Sequence, residues 1–501
     1  MTLFFTGIVL LVVGYYTYGK FVDWVLSPDD RDTPAITKAD GVDFVVLPHW
    51  KNMLIQLLNI AGIGPVIGVI LGIKFGPIVF LLIPIGNVFG GAVHDYVSGM
   101  YSLRHGGSNL PTMIRTNLGT AFYGLFLVFM SLLLLLVVAV FVNVPAQLCD
   151  SVFFPQTPLF WWFVGTIFVY YILATLFPID QIIGRFYPIF GAMLLIGTGL
   201  LFVALVWGMC GNPALLTPNE TTAEYIRNFR EANPIIPCLF VTIACGILSG
   251  FHATQSPIIA RTMKSERQAR STFYGMMIVE GLIGMVWAAG AMAIYNLDSA
   301  TLQLVPTKAL GEITTHFLGS NVGAVTVIAV VILAITSGDT ALRSLRLSMA
   351  ESLHIPQRAF FQRLGVSLPL ILMVAALIWW SNQDAKSFGF LWNYFAWANQ
   401  VLAACTLMSC TVWMLNTSMR RFFWIPFLPG LFMTFVVTSF ILWTSPAHKG
   451  PYGFGLELQT AYIIAGVLTV LFSALALFVG CRKNRQNAEK AETLPEENDA
   501  K

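Results

Sequence analysis

The chain has 501 residues, 56% of them hydrophobic and only 11% charged, with a mean hydropathy of +0.74 and a formal charge of +3. A soluble domain carries roughly 25% charged residues, so folding in water is excluded. Its lysines and arginines fall in alternate loops, which leaves no basic stripe for nucleic acid, and its seven cysteines form no C-x-x-C pair or Cys/His zinc spacing, so neither a metal site nor a cofactor is expected.

Apolar stretches of about 20 residues recur along the chain, each long enough to cross a bilayer as a helix. Lipid offers no hydrogen bonds to the backbone, so spans this long are helices. The expected fold class is an all-α polytopic membrane protein with about 13 transmembrane helices. They fall at 3–25, 52–73, 77–103, 120–142, 159–178, 187–209, 234–252, 271–295, 321–347, 364–380, 388–414, 422–444 and 458–481. The first run is too long for a signal-peptide core and lacks a basic start, so it stays as a span.

Short positively charged loops are retained in the cytoplasm. Lys20 to Lys51, Arg104 with Arg115, Arg185, Arg261 to Arg270, Arg343 to Arg363, Arg420 with Arg421, and the tail from Arg482 share one side. That side carries 22 basic residues and the other 6, which together make the 28 of the chain. The N-terminus is therefore expected outside and the C-terminus in the cytoplasm. The tail 482–501, mixed in charge and poor in apolar residues, reads as disordered.

Two spans look breakable. The second contains Asn59, Gly62, Gly64 and Pro65, where proline removes an amide donor and glycine permits unusual backbone. The seventh contains Ser249, Gly250 and His252, with Pro257 beyond. Backbone left unpaired at membrane depth is tolerated where it lines a cavity or binds something polar; close helix crossings are the other common use of such glycines. Five helices separate the two starts, an odd number that reverses topology. The pattern resembles LeuT-type transporters, a 5+5 inverted repeat with a broken first helix in each repeat. The chain then divides into 1–51, an N-terminal helix and loop; 52–209 and 234–414, the two five-helix repeats; and 422–481, two peripheral helices.

Ionisable groups inside a membrane are costly and face cavities or partners. His94 and Asp95 lie in the cytoplasmic half of the third span, Asp95 suited to ion coupling and His94 to a gate or scaffold, with an interhelical hydrogen bond as the alternative. Glu280, near mid-depth of the eighth, can carry a proton or tie two helices together as a neutral acid. Asp339 and Arg343 lie one helical turn apart, which allows an internal ion pair in a gate or scaffold. Thr336, Ser337 and Thr340 offer hydroxyl oxygens for sodium, or bonds to carbonyls a turn earlier. Cys149 and Cys210 fall on the outer face, where a disulfide between them can persist.

Ile60-Ala61-Gly62-Ile63-Gly64-Pro65 resembles the glycine-rich signature of the carbon starvation protein A (CstA) family. Gly90-Gly91-Ala92-Val93-His94-Asp95, Ser249-Gly250-Phe251-His252-Ala253 and Asp339-Thr340-Ala341-Leu342-Arg343 resemble further elements of that family, in its order. Where family members often carry a His-His pair before the signature, this chain has Ile55 and Gln56. The resemblance implies a multi-pass carrier of the bacterial cytoplasmic membrane, linked to starvation, that imports pyruvate or peptides with protons as coupling ion. The leading expectation is a cation-coupled symporter for a small carboxylate, with a proton as coupling ion and sodium as the alternative. Its partners are then a small-molecule substrate and the lipid bilayer. An oligopeptide importer is the alternative of the same class, and a passive channel or nutrient receptor that of another. No enzyme is expected, because H-E-x-x-H, G-x-S-x-G and Walker patterns are absent from the sequence.

Overall fold

The computed structural model describes residues 1–154, 156–176, 179–357, 359–383, 385–448 and 451–492. Among these residues there is helix and no strand, as the composition and the apolar runs require. Ten helices are long and apolar enough to cross a membrane, or eleven when the bent pair His49–Ile60 and Gly64–Phe75 counts as one span. Two other expected spans do not meet that length. Phe160–Leu176 is a 17-residue helix, and the region of the expected seventh span is cut into short pieces.

In chain order, α1 (Thr2–Leu26) is followed by α2 (His49–Ile60) and α3 (Gly64–Phe75), whose axes meet at 52°. Next come α4 (Val79–Arg104), α5 (Thr120–Phe153), α6 (Phe160–Leu176) and α7 (Ile179–Gly211). The polar helix α8 (Glu220–Ala232) is capped by Asn219, whose side chain accepts the Thr222 amide at 2.8 Å. After the short turns Ile235–Leu239, Phe240–Thr242 and Ala244–Ile247 come α9 (Gly250–Ala260) and α10 (Glu266–Leu297). The 47-residue α11 (Pro306–Ser352) kinks at Gly319, whose φ of +73° is one that glycine adopts without strain. The remaining long helices are α12 (Phe360–Ser381), α13 (Ala385–Leu415), α14 (Trp424–Trp443) and α15 (Leu458–Glu492).

The layering explains why the sequence is apolar all round on some helices and mixed on others. The helices α10 and α13 are almost wholly enclosed, whereas α1 and α15 present most of their surface outward. Enclosed helices can carry the polar groups that outward-facing ones cannot, and this places the chain's buried amides, imidazoles and carboxylates at the centre. The last helix continues through Glu492, although disorder is expected from Arg482 onward. The stretch Asn484 to Glu492 is rich in Ala, Glu, Lys, Gln and Arg, strong helix formers that extend a helix already nucleated. Residues 493–501 of that expected tail lie outside the described residues.

Loop 27–48 does not hang free. It is strapped across the end of α9: the Val45 amide donates to Arg261 O at 3.2 Å, the Leu47 amide to Thr262 O at 3.0 Å, and the Thr33 hydroxyl to Met263 O at 2.5 Å.

Candidate functional site: two broken helices around a buried carboxylate and imidazole chain

Both interruptions expected from the sequence are present. At the first, α2 stops at Ile60, Ala61 turns to ψ +48°, and the Gly62 amide closes a tight turn on Ile60 O at 2.7 Å. Pro65, at the start of α3, has no amide to continue the ladder. Freed carbonyls need new donors, and Ser337 of α11 supplies one: its hydroxyl donates to Leu58 O at 2.9 Å. Gly62 sits tightly here, because a Cβ on it would lie 3.1 Å from both Phe141 Cζ and Ser337 Oγ.

At the second break, Leu248 and Ser249 are fully extended (ψ +117° and +122°) before α9 begins at Gly250. Two adjacent amides of α13 hold this break. Asn399 Oδ1 accepts the Phe251 amide at 2.7 Å and the Ser249 hydroxyl at 3.2 Å, and Gln400 Nε2 donates to Leu248 O at 2.8 Å. Gly250 is a crossing point between backbones, since a Cβ there would meet Ala403 N and Asn399 O at 2.3 Å. Ser249 and Gly250, expected at the substrate, are thus engaged with α13. Asn59, Gly62, Gly64, Pro65 and His252 are all buried around the breaks.

Between the breaks runs a chain of four ionisable side chains. His94 Nδ1 lies 2.8 Å from Asp95 Oδ1, Asp95 Oδ2 lies 3.0 Å from His252 Nδ1, and His252 Nε2 lies 3.8 Å from Glu280 Oε2. All four are at most 1% exposed. The chain joins α4, α9 and α10, so residues 94, 95, 252 and 280 form one unit. His94, expected in a gate or scaffold, is in contact with this group through Asp95. Neither carboxylate oxygen of Glu280 has a hydrogen-bond partner, nor does His252 Nε2 or His94 Nε2. On α2, the side-chain amides of Gln56 and Asn59 are fully buried with all four polar atoms likewise unpartnered. A buried polar group left without a partner costs about 1–3 kcal/mol, so such a concentration is sustained where water or a polar ligand engages it.

The α11 residues behave differently. The hydroxyls of Thr336, Ser337 and Thr340 donate to carbonyls at positions 333, 333 and 336, at 2.8, 3.1 and 3.1 Å. This is the back-bonding to the preceding turn that competes with ion ligation. Asp339 accepts the Tyr170 hydroxyl at 2.6 Å. Arg343, one turn on, sits 3.3 Å from Asp43 in the strapped loop and donates to Ala174 O. Arg346 follows at 3.9 Å from the same carboxylate. The Arg343–Asp43 contact spans 300 residues of chain. Cys149 and Cys210 are free thiols, so the bridge between them is not formed. Cys149 packs against the apolar core while Cys210 is exposed at the end of α7.

An open cavity of about 570 Å³ lies over α3, lined by Ile67, Leu71, Gln147, Asn382, Trp392 and Asn393 among others. It starts one turn beyond the first break. Elsewhere, Asp43 with Arg343 and Arg346 ties the strapped loop to α11, beside a second open cavity of about 270 Å³ lined by Asp43, Asn109, Arg261 and Glu351 among others. Asn399, Gln400, Asp43 and Tyr170 escape sequence reasoning. For the first two there was a signal, adjacent amides inside an apolar span. For Asp43 there was none, because its partners come from a distant helix.

Against known proteins, the family model "Carbon starvation protein CstA" matches residues 1–212, 156–319 and 301–440. The chain belongs to the CstA family. A protein of Haemophilus influenzae named only as an uncharacterized membrane protein is 40% identical over 350 residues, covering 60% of this chain and 93% of that one. The peptide transporter CstA of Bacillus subtilis is 27% identical over 375 residues, covering 63% of this chain and 62% of its own. That of Campylobacter jejuni is 24% identical over 550 residues, covering 85% and 78%. The chain thus spans about half to two thirds of the length of several peptide transporters it matches, 62% for the Bacillus subtilis protein and 48% for one of Helicobacter pylori.

Among solved structures, a manganese transporter of Eremococcus coleocola superposes with a TM-score of 0.56 at 14% identity, covering 89% of this chain and 99% of that one. MhsT, solved in complex with L-phenylalanine, gives 0.52 at 12%, covering 86% and 99%. These likenesses show the fold alone, and that fold is LeuT-like.

Proposed function

We propose that this member of the CstA family is a proton-coupled symporter of the bacterial cytoplasmic membrane that imports a small carboxylate-bearing nutrient, such as pyruvate. The observation that carries the reading is the buried chain His94–Asp95–His252–Glu280 lying against two broken helices. Ionisable groups at this depth, linked end to end and connecting separate helices, are the equipment for holding and passing a proton. The breaks support a nearby substrate site: the helix dipole at the start of α3 favours a carboxylate. Asn59, Gly62, Gly64, Pro65 and His252 are the residues assigned to it. Asp95 and Glu280 carry the coupling proton. The hydroxyls of Thr336, Ser337 and Thr340, already donating to carbonyls, support the sodium alternative less well.

In this reading thirteen spans place the N-terminus outside and the C-terminus in the cytoplasm, with residues 52–209 and 234–414 as inverted repeats. The open cavity over α3 is then the outer vestibule, and the Asp43–Arg343–Arg346 cluster lies on the cytoplasmic side. A second reading, an importer of oligopeptides, is favoured by relatives named peptide transporters and by the amides Gln147, Asn382 and Asn393 in the vestibule, which match peptide bonds.

Uptake of labelled pyruvate and of a labelled dipeptide into proteoliposomes, each with a proton gradient, a sodium gradient or neither, tests both readings. Uphill pyruvate accumulation driven by protons is the expected result. Accumulation of the dipeptide alone moves the assignment to the second reading, and flux that never exceeds equilibrium would mark a channel.

A further inference from the structure

We infer that one polar face of α2, together with the first turns of α10, is the route by which the buried chain delivers its proton to the cytoplasm. The inference rests on the proton-coupled reading above. His49, Asn52, Gln56 and Asn59 follow one another at intervals of three, four and three residues, which puts them on one stripe of the helix. The stripe is about 15 Å long at 1.5 Å per residue. It ends inward at Asn59, next to the residue that closes α2, and outward at His49, the first residue of the helix and partly exposed.

The facing side is polar at matching depth. The helix α10 packs along α2 and carries Ser271 and Thr272 at its start and Glu280 two turns further in. At the outer mouth His49 Nε2 lies 2.8 Å from Ser271 Oγ. Thr272 is fully buried and its hydroxyl has no partner. Asn52 is the one stripe member fully occupied: it donates to Thr262 O at 3.0 Å and accepts the Thr262 hydroxyl at 2.7 Å, which fixes α2 against the end of α9. Gln56 and Asn59 have no protein partner for any side-chain polar atom.

Buried carboxamides are not kept in an apolar span for packing, because each unpaired group costs more than an apolar side chain of the same size. Lined up between a carboxylate and a partly exposed imidazole, they hold and orient hydrogen-bonding water, itself a carrier for protons. The step is a transfer without other chemistry. Glu280 gives up its carboxylic proton, the row beside Asn59, Gln56 and Thr272 passes one proton along, and His49 or Ser271 releases one to the cytoplasmic side. The amides and the hydroxyl are positioning residues, since they do not titrate in the range that matters.

The test uses the full chain in proteoliposomes with a pH-sensitive dye in the lumen. It reads two quantities, acidification driven by external pyruvate or dialanine, and counterflow of the same labelled compound without a pH gradient. Gln56→Leu and Thr272→Val are expected to slow acidification by about tenfold or more, the scale of losing a positioned proton-transfer group, and to leave counterflow unchanged. Gln56→Glu is expected to restore acidification. Tyr96→Phe serves as control, because Tyr96 follows Asp95 on α4 and its hydroxyl is committed to Asp23.

Absence of acidification in the parent protein would defeat the proton-coupled reading itself. Acidification in the parent that persists at full rate in both Gln56→Leu and Thr272→Val would overturn the route alone. So would a selective loss in Tyr96→Phe, which would place the path along α4, or an equal loss of acidification and counterflow in folded Gln56→Leu. Should Gln56→Leu not fold, Thr272→Val decides, being a near-isosteric exchange of hydroxyl for methyl.

Discussion

Asn399 makes the second break affordable. Its carboxamide serves the Phe251 amide and the Ser249 hydroxyl together, donating as well as accepting, with Nδ2 at 3.0 Å from Ser249 Oγ. Replacing it by leucine removes these bonds while keeping the volume, and the stranded amide and hydroxyl each cost about 1–3 kcal/mol in an apolar surrounding. Asn399→Leu is expected to lower the melting temperature in detergent by several degrees and to impair transport. A variant that melts and transports like the parent would show that the break holds without this anchor. At this scale the sequence is informative about which groups matter and silent about who meets whom. His94, Asp95, His252 and Glu280 stand out because an ionisable group in an apolar run is rare. The linkage of Asp95 to His252 crosses 157 positions, and neither pattern nor spacing carries such a pairing.

At the scale of elements the breaks are the most legible features. Glycine and proline act locally, so a cluster such as Gly62, Gly64 and Pro65 marks a place where a helix breaks readily. What glycine does next depends on its neighbours. Gly62 and Gly250 look alike in the sequence, yet only Gly250 is pressed against another backbone, at 2.3 Å from Ala403 N and Asn399 O for an added Cβ. Backbone cannot swing aside as a side chain can. Gly250→Val is therefore expected to abolish folded protein, read as loss of the monodisperse peak in size-exclusion chromatography. Gly62→Ala, facing a ring edge and a hydroxyl at 3.1 Å, is expected to fold and to lose at most a few degrees of melting temperature. Equal folding of the two would contradict the packing described. The extension of α15 past Arg482 shows the converse limit: polar composition alone reads as disorder, but a helix already formed propagates into residues of high propensity.

At the scale of the whole molecule, charge ties the strapped loop 27–48 to α11. Burial alone would raise the Asp43 carboxyl, but the guanidiniums of Arg343, Arg346 and Arg261 outweigh it and hold the group below the usual carboxylate range. Because the folded value is depressed, the stabilisation is fully present above the unfolded value near 3.9 and is lost only as pH falls through the folded one. Asp43→Asn removes one counter-charge from a buried cluster of arginines, and breaking a buried pair costs roughly 3–5 kcal/mol. The variant is expected to melt lower than the parent by a constant margin from about pH 5 to pH 8, with the two converging only in stronger acid. A margin that shrinks toward pH 8 would show that another group holds the loop to α11. The sequence does not reveal this contact because loop 27–48 carries several acids and nothing local distinguishes Asp43 among them.

One buried chain is proposed to couple proton movement to substrate movement, and Glu280 is one end of it. The direct measurement is the steady-state accumulation ratio of labelled substrate against imposed pH gradient, in proteoliposomes carrying the parent or Glu280→Gln. For the parent the ratio is predicted to rise tenfold for each pH unit at one proton per substrate. For Glu280→Gln it should stay near one at every gradient, while exchange of labelled for unlabelled substrate continues. A Glu280→Gln variant that still accumulates with the parent's pH dependence, or a parent whose accumulation ignores the gradient, would contradict the account.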